Sequence, residues 1–167
     1  MSLWRGVAAL LLLLALVGCG GVTPSPNPTA SGEEGSSLAP LASGEPPPWE
    51  QPVAGAMEAT PWHAVGANQR PIDPGGGPWA DPGALIADTG RFFAAQTPGG
   101  EVTARLVSHD PEAGTAIGHV RMLVAGDDSV AGIDLRLELG EAEGGWRIVS
   151  VEERLHCRRG ASGDLCL

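Results

Sequence analysis

Proline placement constrains this chain more than any other feature. Of its 15 prolines, 13 fall between Pro24 and Pro82. Each fixes its own φ and removes a backbone donor, which excludes long helices and central strands from that stretch. The residues between them are Ser, Thr, Gly and Glu in runs such as TPSPNPTASGEEGSS and SGEPPPWEQP. A segment of this composition offers little apolar surface to offset its ordering entropy. Residues 19–79 therefore read as a disordered tether with a reach of roughly 40–50 Å. Regular structure is expected only in residues 80–167.

Ahead of the prolines, one cation, Arg5, precedes an apolar run at residues 7–17 with five consecutive leucines. The run would cover roughly 17 Å of a bilayer core about 30 Å thick, which suits a signal-peptide apolar region and not a membrane span. It also lacks the polar face of a helix on a globular domain. The run ends in LVGC, residues 16–19, which resembles the lipobox of bacterial lipoproteins. The resemblance implies that residues 1–18 are a signal peptide removed before Cys19. Cys19 then becomes the acylated N-terminus and holds the protein on the extracytoplasmic side of the cell membrane. Two or more acyl chains, at about 0.8 kcal/mol per buried methylene, retain a protein that one chain would release.

All ten cations are arginines, against 20 Asp and Glu, for a net charge of −10. That balance argues against nucleic acid as a partner, because binding a phosphate backbone needs clustered cations. The odd count of three cysteines resolves if Cys19 takes lipid and the other two pair. Cys157 and Cys166 bracket an eight-residue spacer, RRGASGDL, and an exported protein meets an oxidising compartment. Closing so short a loop stabilises the fold by about 2.5–3 kcal/mol in the chain-entropy treatment. A metal centre is not expected, since only His156 adjoins this pair, and no cofactor is implied. Arg154, His156, Arg158 and Arg159 form a local basic cluster, a candidate interaction edge for an acidic envelope protein, lipid headgroups or an anionic polymer.

From residue 78 onward the pattern becomes regular. Asp81 followed by Pro82 reads as an N-cap with proline at the first helical position, and Pro98, Gly99 and Gly100 stop the helix. Leu85, Thr89, Phe92, Phe93 and Gln96 share one side of it. Four strands are expected at 101–108, 116–125, 133–139 and 146–153. The third is cleanest, with Ile133, Leu135, Leu137 and Leu139 facing one way and Asp134, Arg136 and Glu138 the other. In the fourth, alternation breaks between Ile148 and Val149, which predicts a bulge or a strand covered on both faces. The fold class is α+β: one amphipathic helix on a four-stranded antiparallel meander.

Three Pro-Trp pairs, at Trp49, Trp62 and Trp79, punctuate the tether. Trp62 and Trp79 are expected to pack back on the domain, with a partner-anchoring role as the alternative. Residues 51–55 read QPVAG, matching the inhibitory loop of cystatins, but they precede the helix where cystatins place them after it. Protease inhibition is therefore not expected.

The order of signal, lipobox, helix, strands, a GGWRIVSVE strand and a terminal cysteine pair resembles the NTF2-like and SnoaL-like domains of exported lipoproteins, which are related in shape to the cystatin-like roll. In some members of that superfamily an Asp or His within the fold transfers protons. Here the candidates would be His109, His119, Asp88 and Glu152, with Arg105 and Arg121 nearby. Alternation sets His119 and Arg121 away from the helix, with Arg105, Asp134, Arg136 and Glu138, as a solvated ladder of cross-strand charges. No GxSxG, HExxH, phosphate-binding glycine loop or CxxC occurs, and no catalytic residue is assigned. The sequence thus points to an envelope lipoprotein whose domain is a non-catalytic interaction or ligand-binding module. The alternatives are an NTF2-like enzyme or isomerase acting on a small apolar substrate between helix and sheet, and a structural accessory to a membrane complex.

Overall fold

The computed structural model describes residues 38–42, 44–66, 72, 74, 75 and 77–167. The expected signal peptide, with its lipobox-like end, and Cys19 lie outside them. Among the described residues no helix is long and apolar enough to cross a membrane.

The helix forms where capping chemistry allows. Asp81 is extended and accepts from the Ala84 amide at 3.0 Å, Pro82 occupies the first turn, and α1 runs Pro82–Gln96. Four long strands follow: β3 (Glu101–Asp110), β4 (Thr115–Leu123), β5 (Val130–Ala142) and β6 (Gly145–Cys157). They make the expected antiparallel meander, each strand pairing with the next. The helix covers one face, closing a core of Leu85, Ile86, Leu106, Val120, Leu135, Leu137, Leu139 and Trp146. Trp79 docks at its margin, where its carbonyl accepts from the Trp146 amide at 3.0 Å and its indole N–H donates to Asp88 at 2.6 Å. Burying each such apolar side chain stabilises the fold by about 1.5–3 kcal/mol.

The helix lies close because two glycines permit it. A Cβ on Gly118 would sit 2.0 Å from Ile86 Cδ1, and one on Gly90 would sit 2.6 Å from the Ala104 side chain. The buried helical face accordingly centres on Leu85, Ile86, Thr89 and Gly90. Leu85 and Thr89 lie on it as spacing predicts and Phe93 packs at its margin, while Phe92 is half-buried and Gln96 is exposed.

The other correction concerns the proline-rich stretch. Leu38 packs against the helix-side core, and residues 44–65 fold across the outer face of the sheet, opposite the helix, as a strap. The Leu41 amide donates to the Leu106 carbonyl on β3 at 3.2 Å. The strap then makes a 3₁₀ turn at Pro48–Glu50, buries Val53 and descends along the free edge of β6. There β1 (Glu58–Ala59) and β2 (His63–Ala64) pair with β6, flanked by hydrogen bonds from Met57 to Cys157 and from Val65 to Val151. The main sheet is thus six-stranded and not four-stranded, and the folded part starts well before residue 80. Proline forbids a long ladder but not two-residue pairings, and the tryptophans, Val53 and Thr60 supply the buried contacts that composition alone conceals. A short hairpin, β7 (Ala161–Ser162) with β8 (Leu165–Cys166), closes the chain, tied to β6 by the Cys157–Cys166 disulfide that the spacing predicts.

Candidate functional site

The outer face divides into a covered part and an open part. Under the strap, register places His119 opposite Arg136, Arg121 opposite Asp134, and Asp134 opposite Arg154. Asp134 is fully buried, and its two oxygens are crowded by donors. Arg121 binds both, Nε to Oδ1 at 2.7 Å and Nη2 to Oδ2 at 3.0 Å. Arg154 Nη2 reaches Oδ2 at 3.1 Å, and His156 Nε2 reaches it at 2.7 Å. His119 Nε2 lies 3.1 Å from Oδ1 but is left without a well-aligned acceptor. An ionised carboxylate accepts about four hydrogen bonds, so Asp134 is saturated.

Burial alone would raise the pKa of this carboxyl, yet His119, His156 and Arg121, which face it, outweigh burial and hold the group well below the usual carboxylate range. Two imidazoles and a carboxylate are a donor set that metals use, but here two guanidinium groups occupy the carboxylate and both Nε2 atoms point at it. The arrangement is a closed structural ion cluster.

The strap seals it. The Trp49 ring packs edge-on against His119 at 5.8 Å, and its carbonyl accepts from Arg154. Trp62 stands at right angles to Trp49, with the guanidiniums of Arg136 and Arg154 over its ring at 5.3 and 4.8 Å. Such stacking contributes roughly 0.5–2 kcal/mol per pair, depending on desolvation. The charge ladder that alternation predicts as solvated is therefore on the expected face, but its centre is buried. Trp62 and Trp79 pack on the domain as expected, and Trp49 joins them. Val53 of the QPVAG run is 6% exposed and anchors the run, whose other four residues are exposed.

The basic cluster expected at the end of β6 is divided by the fold. Arg154 and His156 point inward to Asp134, Arg158 donates to the carbonyls of Asp127 and Val124, and Arg159 pairs with Asp128. The four do not share one surface. Among the acid-base candidates, Asp88 accepts from Trp79 and Arg91, and Glu152 pairs with Arg136. Only His109 stands at an opening, its ring edge-on to Trp146 at 5.1 Å.

Beyond His119 the outer face is uncovered and curls into a concavity of about 470 Å³. Both strand bulges form it. β3 gains an extra residue between Leu106 and Ser108, and β6 gains Val149 opposite the Glu138/Leu139 step. Bulges bend and twist a strand, and these two turn a flat edge into a hollow. Ile117 and Val149 supply its apolar surface, over the buried Ala116 and Leu139; Ser108, His109, Asp110, Thr115 and Glu138 supply its polar rim. Val149 is 61% exposed there. The irregularity at Ile148 and Val149 was visible in the sequence; that it would line a hollow depended on the matching bulge in β3, where alternation had suggested nothing.

Compared with protein-family models, curated proteins and solved structures, the chain matches none.

Proposed function

We propose that the chain is an exported bacterial lipoprotein, anchored through an acylated Cys19, whose NTF2-like domain binds a small molecule in the outer-face hollow without transforming it. The observation that carries the binding reading is the hollow itself. Its volume falls in the roughly 300–1,000 Å³ of small-molecule sites, and it joins apolar walls to a few polar groups. The contrast with the helix side supports the choice. There Ile86 fills the space over Gly118 and Gly90 abuts Ala104, so helix and sheet are in close contact at both points. The disulfide fits an oxidising compartment, and the leucine run ending at Cys19 fits a lipobox.

Two measurements test this. Cell fractionation should find the wild type in membranes and Cys19→Ala released; a variant that stays with the lipid contradicts anchoring. Native mass spectrometry of protein extracted from its own membranes should show a small-molecule adduct. Ser108→Trp, which fills the hollow, should lack it. Identical spectra for the two proteins contradict binding in the hollow.

A further inference from the structure

The hollow's rim carries a sign. Its two charged lining residues are both acidic, Asp110 and Glu138, and no cation lines it. Each has one oxygen engaged and one available. Asp110 Oδ1 caps the amides of Glu112 and Ala113, and Glu138 Oε2 accepts from Ser150 at 2.6 Å, while the second oxygen of each makes no hydrogen bond among the described residues. The adjoining turns add Glu112, Glu141 and Glu143.

Elsewhere among the described residues the arginines are engaged. Arg121 and Arg154 are held by Asp134, Arg136 by Glu152, Arg105 by Glu45, Arg91 by Asp88 and Arg159 by Asp128. Arg158 is spent on carbonyls. Arg147, opposite Gly140 on the outer row, is the one nearby cation, and it is exposed and outside the lining. Pairing therefore neutralises the strap end of the sheet and leaves the hollow end negative. A potential of one sign at a concave, partly apolar site concentrates the opposite charge there.

From this we infer that the ligand of the hollow is an organic cation: an apolar body seated on Ile117 and Val149, with an amine directed to Glu138 and Asp110. The inference rests on the binding reading above and adds the ligand's charge. Ser108 and Thr115 offer hydroxyls.

The test is a matched series of probes, phenylbutylamine, phenylbutanol and phenylbutyrate, titrated into the full folded domain with its disulfide intact and read by NMR shifts of the Ile117 and Val149 methyls. The amine should bind roughly tenfold more tightly than the carboxylate, with the alcohol between them. Glu138→Gln should weaken the amine by about fivefold while leaving the alcohol unchanged. Equal binding of all three, or an unchanged amine affinity in Glu138→Gln, overturns the cation preference while the hollow survives as a binding site. No shift at Ile117 or Val149 with any probe overturns the preference and the binding reading together. Shifts that persist in Ser108→Trp place binding elsewhere and have the same effect.

Discussion

His156 Nε2 donates to Asp134 Oδ2 across 2.7 Å between neighbouring strands, both side chains nearly inaccessible to water. Asp134 also answers Arg121 and Arg154, so one carboxylate bridges two guanidinium groups inside the sheet–strap layer. Its removal leaves buried charge uncompensated. Asp134→Ala is expected to lower unfolding stability by about 3–5 kcal/mol, measured by chemical denaturation. A loss below about 1 kcal/mol would show that the cluster is not buried in solution.

The same donors set the pH behaviour. The folded carboxyl of Asp134 titrates below its ordinary range because the donors of His119, His156 and Arg121 outweigh its burial. A depressed folded value means that the stabilisation is complete above the unfolded value of about 3.9 and is lost only as pH falls through the lower folded value. Side-chain carboxyl NMR should therefore show Asp134 ionised at pH about 3, where exposed carboxylates are already protonating. A midpoint near 4 for Asp134 contradicts the geometry.

The strap should behave as part of the fold. A chain beginning at residue 38 is expected to unfold in one cooperative transition, and a chain beginning at residue 80 to lose it, because the latter bares the Asp134 cluster and the β6 edge. Trp62→Ala should cost about 1–3 kcal/mol through loss of its packing on Arg136 and Arg154. Matching melts for the two truncations would return residues 38–79 to the role of a tether.

The disulfide joins β6 to the terminal hairpin. Replacing Cys157 and Cys166 with serine should lower stability by about 2.5–3 kcal/mol. Because the Met57 amide bonds to the Cys157 carbonyl, exchange protection of that amide should fall as well. Unchanged stability and protection would mean that the hairpin is dispensable.

Much of this architecture was legible locally. Asp81 and Pro82 mark the helix start because capping and a fixed φ act within a few residues. Period-two alternation sorts Val120 from His119 and Leu135 from Asp134 for the same reason. What alternation cannot report is whether a face is wet. The strap is invisible to it, since β1 and β2 are two residues each and their partners lie some ninety residues away. Arg154 and His156 looked like a basic edge because their neutralising residue is remote in sequence. The signal was present in another form: setting the β5–β6 hairpin about its GEAEGG turn, with the one-residue bulge at Val149, brings Arg154 opposite Asp134, and a buried partner for a cation follows from that register.

Anchoring and export are read most directly from the intact mass of the protein purified from its own membranes. A lipid-anchored, oxidised protein gives a chain that starts at Cys19, heavier by its acyl groups and lighter by the two hydrogens of the Cys157–Cys166 bond. A chain that retains residues 1–18 and carries three free thiols would contradict both assignments in a single spectrum.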